Sequence, residues 1–273
     1  MTEKKNNQKL YKVLLAVFVL GFLVCIGILG YRAIHQKLQQ NKYEELSGQN
    51  SVTETAETET TEAAASDKGI LEAFGVDVPQ KNIDWDALTE ENPDIYAWIY
   101  IPNTQVDYPV LQHEGDDGYY LDHNLDGSSG YPGCIYSQSY NTKDFTDSNT
   151  VLYGHNMKNG TMFGSLHEFE DNEFFNENPY IYIYTPEKTL VYQIFAACEA
   201  GDTHLLYAYD FDTESGFDRF VNDINSVRDM RSHVRSGLGV VYGRKLVTLS
   251  TCIKGEPESR WIVAGVLLNE NEN

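Results

Sequence analysis

The sequence predicts a mainly β domain of the α+β class, with eight strands in a closed barrel or a sandwich, preceded by one transmembrane helix. Two observations support this fold class. A single long apolar run lies near the N-terminus, and beyond Trp98 the chain changes to short β-branched and aromatic runs separated by turn residues. Residues 69–273 are numerous enough for one domain with a substantial core.

The apolar run extends from Val13 to Tyr31 without a charged residue. As a helix it spans about 28 Å at roughly 1.5 Å per residue, which is enough to cross a bilayer. It is longer than the apolar part of a usual signal peptide and no A-x-A site follows it, so we expect an uncleaved anchor over residues 13–31. A basic flank favours residues 1–12 in the cytoplasm and the C-terminal domain outside the cell; its members are Lys4, Lys5, Lys9 and Lys12.

A low-complexity segment follows the anchor. Residues 44–68 consist largely of Thr, Glu, Ala and Ser, and no aromatic residue occurs between Tyr43 and Phe74. Such a segment cannot bury enough apolar surface to offset the entropy of ordering it. We therefore expect residues 32–68 to form a flexible acidic stalk, and a helical spacer stays open as an alternative for the Glu- and Ala-rich part.

The negative charge of the chain belongs to the C-terminal domain. The whole chain has 41 acidic and 20 basic side chains and a formal charge of -21. Residues 1–68 are neutral in sum, so residues 69–273 carry all of that charge. Nucleic-acid binding is disfavoured, because a polyanion requires a basic surface.

Helical spacing of apolar residues occurs ahead of the strands and between them. Two helices are expected before the sheet, at Ile70–Val76 and at Asp84–Trp98, the second with Asp84 as its N-cap. Helical interruptions are also predicted at Met162–Phe169 and at Glu214–His233. The last of these is an insertion between two strands.

The strands are predicted from β-branched and aromatic runs bounded by turn residues. They are Trp98–Ile101, Val106–Leu111, Gly133–Ser137, Thr150–Tyr153, Tyr180–Thr185, Thr189–Ala197, Lys245–Thr251 and Trp261–Leu268. No period of about 20 to 50 residues recurs, which excludes a repeat architecture.

A cysteine stands at the end of one predicted strand. The segment Arg244–Cys252 is followed by a loop containing Gly and Pro, and the next strand begins near Arg260. Strands joined by a short connection are normally antiparallel neighbours, so we expect Cys252 and Arg260 at one end of the sheet. A guanidinium there can lower the pKa of the thiol or donate hydrogen bonds to an oxyanion. Taken alone, Cys252 also fits the role of a small apolar residue.

The other cysteines show no comparable pattern. Cys25 lies in the apolar run, and Cys198 closes an apolar segment that is typical of a core. With Cys134 and Cys252, the domain outside the membrane has an odd number of cysteines. At least one of their thiols is therefore not in an intramolecular disulfide.

A histidine follows another predicted strand. His155 comes after Gly154, at the point where the strand Thr150–Tyr153 gives way to a loop. A cysteine nucleophile needs a group that gives a proton to the leaving amine, and histidine can do so near neutral pH. A histidine at a strand end can equally be structural or merely exposed, so the inference depends on Cys252, His155 and Arg260 together.

The order YGHN, then TLSTC, then an arginine at the start of the final strand resembles the sortases, the membrane-anchored cysteine transpeptidases of Gram-positive bacteria. The similarity covers most of residues 70–268, and NPDIYAWIYIPNTQVDYPVLQ, YYLDHN and TMFGSLHEFEDNEFFNENPYIYIYT resemble class B in particular. The resemblance implies an eight-stranded sortase-type β-barrel with two N-terminal helices and a helix-bearing insertion before the strand that carries the cysteine. It also implies that Cys252 is the nucleophile, His155 the general acid/base and Arg260 the group that stabilises the oxyanion or the substrate.

The resemblance further implies an enzyme that cleaves a C-terminal sorting signal after Thr, through a thioacyl-enzyme. The surface protein is then transferred to an amine of cell-wall peptidoglycan or of its lipid-linked precursor. Two alternatives stay open: a class B enzyme that polymerises pilins through a pilin Lys, and a cysteine peptidase that only hydrolyses the signal. The expected partners are surface proteins with a sorting signal, the peptidoglycan amine and the membrane, with no nucleic acid.

Three further residues are candidates for substrate binding. Ser250 points to the same face as Cys252 on an extended strand, Asn156 is placed to orient His155, and Tyr207 in the insertion is placed to line a peptide groove. The acidic loop Glu114–Asp117 does not have the spacing of a calcium loop. We therefore expect no metal and no cofactor.

Overall fold

The computed structural model of the chain describes residues 2–51 and 71–269, with side chains from residue 11 onward. Two compact units are found, residues 1–42 and residues 43–273. The first is most of one long helix, and the second contains all of the strands.

Helix α1 spans Thr2–Gln49. From Tyr11 onward it contains a stretch long and apolar enough to cross a membrane, and its apolar side chains are exposed. The helix continues beyond Tyr31, so the first part of the expected stalk is helical up to Gln49. That part lacks proline and is rich in Gln, Lys, Glu and Leu, which favour helix. Residues 52–68 of the expected stalk lie outside the described residues.

The C-terminal end of α1 belongs to the second unit, because that unit begins at Tyr43. Tyr43 is buried, and its hydroxyl donates a hydrogen bond of 2.8 Å to the backbone carbonyl of Gly133. One turn later the Ser47 hydroxyl donates to the carboxylate of Asp107. The end of the helix is therefore packed on the domain as part of its structure.

The domain is built on one nine-stranded sheet, whose order is β5-β1-β2-β3-β4-β8-β9-β6-β7. The strands are β1 Ile95–Tyr100, β2 Asp107–Leu111, β3 Ile135–Ser137, β4 Asn149–Tyr153, β5 Tyr180–Tyr184, β6 Thr189–Gly201, β7 His233–Val234, β8 Leu246–Ile253 and β9 Glu256–Leu267. A further pairing of β5 with β6 closes eight of these strands into a barrel and leaves the short β7 on its outside edge. The predicted barrel is confirmed, and each predicted run overlaps one barrel strand.

The remaining helices are short; the first precedes β1 and the others lie between strands. Helix α2 spans Trp85–Glu91, α3 Tyr119–Asp122, α4 Asn172–Glu177, α5 Leu205–Ala208 and α6 Glu214–Ser226, and a 3-10 helix spans Gly164–Glu170. The 3-10 helix covers most of the interruption predicted at Met162–Phe169. Of the first predicted helix, Ile70–Val76, residues 71–73 are helical.

Two predicted helices are too long at their C-terminal ends. The helix expected over Asp84–Trp98 ends at Glu91 because Asn92 precedes Pro93 and is extended, with φ -153 and ψ 115, as residues before proline usually are. Its predicted N-cap is correct, since the Asp84 carboxylate accepts from the Ala87 amide at 3.0 Å. The helix expected over Glu214–His233 ends at Ser226, where Val227 leaves the helical conformation with φ -58 and ψ 135. His233 and Val234, at the end of the predicted helix, pair with β6.

The insertion helix α6 packs on the outer side of the barrel. Its buried residues Phe217, Phe220 and Ile224 belong to one apolar cluster with Phe195 and Cys198 of β6. Each fully buried large apolar side chain contributes about 1.5–3 kcal/mol of transfer free energy. The helix is therefore held beside β6. The segment that connects β6 to α6 contains α5, and the contact of His204 with Tyr153 places it near the end of the barrel where β4 and β8 terminate.

Candidate active site

Three adjacent strands bring the predicted catalytic residues to one end of the barrel. Strand β9 begins at Glu256, so the predicted strand start near Arg260 is four residues too late. Strands β4 and β8 are parallel, with Tyr153 opposite Ser250, so His155 and Cys252 each follow two residues later on the same side. Strand β9 is antiparallel to β8, and its Arg260 lies directly opposite Cys252. The three candidates come from β4, β8 and β9, which are adjacent in the sheet.

Cys252 differs from the other thiols of the domain in its exposure. Cys134 and Cys198 are buried, and burial raises the pKa of each thiol to about 12. Cys252 is exposed. Within the described part of the domain, Cys252 is thus the one thiol that a substrate can reach.

His155 is partly buried beside the loop that precedes β3. Its Nε2 lies 2.5 Å from the backbone carbonyl oxygen of Leu121, and its ring centroid is 4.8 Å from that of Tyr131. A carbonyl oxygen only accepts, so Nε2 carries a hydrogen and Nδ1 is the nitrogen that can gain or lose a proton. Burial lowers the pKa of His155, although the Leu121 carbonyl and the Asp122 carboxylate oppose this shift.

The absence of a side chain at two glycines permits the observed position of His155. A Cβ on Gly154 would lie 2.5 Å from Cδ1 of Ile135 and 2.8 Å from Cγ of Phe163. Gly133 has φ +69, and a Cβ there would lie 2.8 Å from the Tyr120 carbonyl and 3.3 Å from the His155 ring. Close packing on both sides therefore fixes the backbone that carries His155 and the loop that contacts its ring.

Arg260 is held by its own hairpin. Its Nη1 donates to the backbone carbonyls of Pro257 and Ser259, both at 2.9 Å. Nε and Nη2 have no hydrogen-bond partner in the part of the chain that the structure describes, so these donors can serve an oxyanion or a substrate carbonyl.

A separate ionic network fixes the base of the same hairpin. Arg231 lies 3.0 Å from the carboxylate of Glu199 and 3.6 Å from that of Glu256, and the Ser259 hydroxyl donates to Glu199 at 2.7 Å. These contacts join the segment before β7 to the hairpin that connects Cys252 with Arg260.

The candidate substrate-binding residues are only partly brought to the site. Ser250 is buried on β8, and its carbonyl accepts from the Gly154 amide at 3.3 Å. Asn156 does not hydrogen-bond His155; its Nδ2 donates to the backbone carbonyl of Cys252 at 2.8 Å. Tyr207 lies on α5, with an exposed ring that packs 4.4 Å from the ring of His204.

An aromatic wall adjoins the site and was not predicted as a unit. Tyr136 packs against Tyr153 at 5.5 Å, and Tyr153 lies 6.2 Å from His204, whose ring contacts those of Tyr140 and Tyr207. Burial, and then the nearby Cys252 thiolate, raises the pKa of Tyr136 to about 12. The aromatic wall thus leads from Cys252 to α5. With 19 tyrosines in the chain, composition could not single these out.

His167 and Glu170 were also missed. His167 Nε2 lies 3.1 Å from the Cys252 carbonyl oxygen, and its Nδ1 lies 2.6 Å from Oε1 of Glu170. The spacing of three residues, which puts both on one face of the 3-10 helix, was the available signal. Among the described residues, no group of three or more His, Cys, Asp or Glu side chains is arranged to hold a metal ion.

Comparisons with known proteins agree on one family. The model of the sortase domain matches residues 99–268. Sortase B of Listeria monocytogenes is 31% identical over 186 residues, which make up 67% of this chain and 73% of that protein. Sortase B of Staphylococcus aureus is 26% identical over 168 residues, or 62% of this chain and 67% of that protein.

Solved structures give the same result. The X-ray structure of Clostridium perfringens sortase B is 29% identical, with a TM-score of 0.58, and covers 67% of this chain and 98% of its own. A Streptococcus pyogenes class B sortase involved in pilus biogenesis is also 29% identical, with a TM-score of 0.59, over 68% of this chain and 98% of its own.

A barrel that brings an exposed cysteine, a histidine and an arginine together on adjacent strands is the arrangement expected of a cysteine acyl transferase. The match over more than half of the chain shows more than this class: the chain belongs to the sortase family, the cysteine transpeptidases that act on surface proteins. Within that family it is a class B sortase.

Proposed function

We propose that this sortase cleaves a C-terminal sorting signal after Thr through a thioacyl-enzyme and transfers the surface protein to an amine of cell-wall peptidoglycan. The observation that carries this proposal is the convergence of Cys252, His155 and Arg260, from adjacent strands, at one end of the barrel. Each group supplies one requirement of acyl transfer: a nucleophile, a proton carrier and a donor to the oxyanion.

The first half-reaction forms the thioacyl-enzyme. The Cys252 thiolate attacks the Thr carbonyl carbon, a C–S bond forms, and the carbonyl electron pair moves to the oxygen, which Arg260 stabilises. When the tetrahedral intermediate collapses, the C–N bond breaks and His155 gives the Nδ1 proton of its imidazolium to the leaving amine. The products are the thioester, neutral His155 and the cleaved C-terminal peptide.

The second half-reaction returns the enzyme to its starting state. The acceptor amine attacks the thioester carbon, and neutral His155 takes a proton from the amine as the new C–N bond forms. Collapse of this intermediate breaks the C–S bond and releases the Cys252 thiolate. Two half-reactions with a covalent intermediate predict ping-pong kinetics.

We also propose that α1 anchors the enzyme in the cell membrane, with its N-terminus in the cytoplasm and the barrel outside. The apolar stretch that begins at Tyr11 supports a membrane span, and the preceding lysines support this orientation. The barrel then faces the compartment that contains peptidoglycan and surface proteins.

A second candidate is pilin polymerisation, in which a pilin Lys replaces the peptidoglycan amine as acceptor. The specific observation in its favour is the similarity to a Streptococcus pyogenes class B sortase involved in pilus biogenesis. The two functions share the first half-reaction and differ only in the amine that resolves the thioester. A peptidase that only hydrolyses the signal would use water at that step.

Mass spectrometry of the products separates these functions. The full-length chain in detergent is incubated with peptides that place Thr before Asn or before Gly, with and without diaminopimelate, oligoglycine or a Lys-bearing pilin. We expect an adduct of the Thr carboxyl group with a peptidoglycan-type amine. An adduct with pilin alone would establish the second candidate, and hydrolysis in every mixture would establish a peptidase.

Removal of the thiol tests the catalytic assignment. We expect Cys252→Ala to abolish both cleavage and transfer, because no thioester can form without the sulfur. Cys25→Ala is the matched control, since Cys25 lies in the apolar stretch of α1 and takes no part in the proposed chemistry. Turnover by the Cys252→Ala enzyme would disprove the proposed function.

A further inference from the structure

The backbone of Cys252 lies at an irregularity of the β8–β9 ladder. Cys252 is opposite Arg260, but the next residue, Ile253, is opposite Glu256, so the register shifts between them. Such an irregularity interrupts the regular ladder and is common next to active sites. The Cys252 carbonyl faces the β4 side, as the Ser250 carbonyl does, and accepts from Asn156 Nδ2 at 2.8 Å in the loop that follows β4.

The side chains of Asn156, His167 and Glu170 form a continuous hydrogen-bond chain that ends at the Cys252 carbonyl. His167 Nδ1 lies 2.6 Å from the Glu170 carboxylate, which can only accept, so Nδ1 carries the hydrogen. Nε2 of neutral His167 is then an acceptor, and Asn156 Nδ2 donates to it at 2.9 Å. The Cys252 carbonyl oxygen lies 3.1 Å from the same Nε2, but two acceptors cannot hydrogen-bond each other, so Asn156 is the donor to both. The amide of Asn156 has two hydrogens, one for His167 and one for the Cys252 carbonyl. Each donor therefore has an acceptor along the chain from Glu170 to Cys252.

Packing holds this chain in place. The His167 ring lies parallel to Trp261, with centroids 5.8 Å apart and planes 24° apart. Trp261 is fully buried, and its indole Nε1 donates to the Leu166 carbonyl at 2.9 Å. Trp261 follows Arg260 directly, so the 3-10 helix is fixed against the strand that carries the proposed oxyanion donor.

We propose that Glu170, His167 and Asn156 position Cys252 for acyl transfer, an inference that rests on the proposed function. A donor that fixes the carbonyl fixes the peptide plane after Cys252, and with it the direction in which the side chain leaves the backbone. The thiolate must approach the substrate carbonyl carbon within a narrow range of distance and angle, so a small displacement lowers the rate. None of the three side chains touches the reacting atoms in this proposal.

The first test removes the donor to the carbonyl. In the full-length chain in detergent, we expect Asn156→Ala to lower kcat for transfer about tenfold or more, with KM for the sorting peptide changed less than about twofold. Cys134 and Cys198 should stay protected from iodoacetamide, because the core remains closed. If Asn156 had only a structural role, Asn156→Ala would expose the thiols of Cys134 and Cys198 to iodoacetamide and would change kcat and KM together.

The second test uses a pair of variants at Glu170, the other end of the hydrogen-bond chain. Glu170→Ala should lower kcat in the same way, because it leaves His167 Nδ1–H without its acceptor. Glu170→Gln keeps an acceptor oxygen and should recover most of that loss. Glu168→Ala is the control, because Glu168 is exposed on the same 3-10 helix.

The outcomes distinguish this proposal from the proposed function. If Asn156→Ala and Glu170→Ala both leave kcat within about twofold of the parent enzyme, the positioning role is disproved while Cys252 remains the nucleophile. Equal losses of kcat in Glu170→Ala and Glu170→Gln would also disprove the hydrogen-bond chain from Glu170 to Cys252. Activity in Cys252→Ala would instead overturn the function on which the proposal rests.

Discussion

His155 experiences opposing influences on its pKa. Burial under Tyr131 and against Gly133 disfavours the imidazolium, whereas the Leu121 carbonyl and the Asp122 carboxylate favour it. Burial is the largest of these, so the pKa lies below its ordinary value of 6.5. The imidazolium that is proposed to protonate the leaving amine is therefore a minor form at neutral pH, and the proposed mechanism requires it to coexist with the Cys252 thiolate.

The pH dependence of the reaction follows from this shift. In a bell-shaped profile of kcat/KM, the limb on the acidic side belongs to the group with the lower pKa in the free enzyme. We expect that limb to reflect His155 and to lie below pH 6.5. Folding stability should change in the same window, because the unfolded chain binds the proton more tightly and stability falls as the pH drops through 6.5. An acidic limb above that value would contradict the assignment.

Tyr131 provides a direct test of the cause. Tyr131→Ala removes a ring that covers His155, so the pKa of His155 should rise towards 6.5. Titration of the His155 ring by NMR in the full-length chain measures the shift. Tyr242→Ala is the control, because Tyr242 packs on Phe217 of α6 and should leave the titration unchanged. An unchanged pKa in Tyr131→Ala would exclude coverage by this ring as the cause.

At the level of the elements, the end of β4 depends on the absence of a side chain at Gly154. The neighbouring atoms of Ile135 and Phe163 are core groups, both fully buried, and cannot move into solvent. Gly154→Ala should therefore lower the free energy of unfolding by about 1–3 kcal/mol through overpacking. It should also lower transfer activity, because His155 is the next residue.

A second glycine supplies the matched control for this substitution. Gly201 ends β6, and nothing lies within 4 Å of a Cβ added there. Gly201→Ala should change the free energy of unfolding by less than about 0.5 kcal/mol. Chemical denaturation of both variants measures the difference. Equal stability of the two variants would show that the β4 end repacks freely.

The barrel strands could be predicted from the sequence, because β-branched and aromatic runs favour strands locally. The placement of Cys252 opposite Arg260 could also be predicted, because strands joined by a short connection are antiparallel neighbours. The sequence was insufficient where distant segments decide the outcome. Apolar spacing alone predicts a helix from Asp84 to Trp98, but Pro93 ends it at Glu91. The contact of His167 with the Cys252 carbonyl joins residues 85 positions apart and depends on how the 3-10 helix packs against Trp261.

At the scale of the whole chain, the C-terminal end of α1, the proposed anchor helix, is also part of the domain that contains the barrel. The Tyr43 hydroxyl donates to the Gly133 carbonyl at 2.8 Å and lies 3.1 Å from the sulfur of Cys134. The Lys81 ammonium donates to the carbonyl of Asn50 at 2.7 Å. Gly133 in turn packs against the ring of His155. The end of α1 therefore supports the loop beside His155, the proposed general acid/base.

This arrangement predicts that Tyr43→Phe destabilises the domain. The substitution keeps the buried ring but leaves the Gly133 carbonyl without that donor, which should cost about 1–3 kcal/mol in the free energy of unfolding. In a domain of this size that loss corresponds to a decrease in Tm of roughly 2–4 °C per kcal/mol. Transfer activity should fall with it, because the displaced loop contacts His155.

Tyr11→Phe is the control for Tyr43→Phe, since Tyr11 lies on the exposed surface of the same helix. Its hydroxyl is not buried, so its loss should change the free energy of unfolding by less than about 0.5 kcal/mol. Both variants are measured as full-length chains in detergent, by thermal unfolding and by peptide transfer. If Tyr43→Phe matches Tyr11→Phe in both assays, the end of α1 serves only as a tether, and the barrel maintains the His155 loop without it.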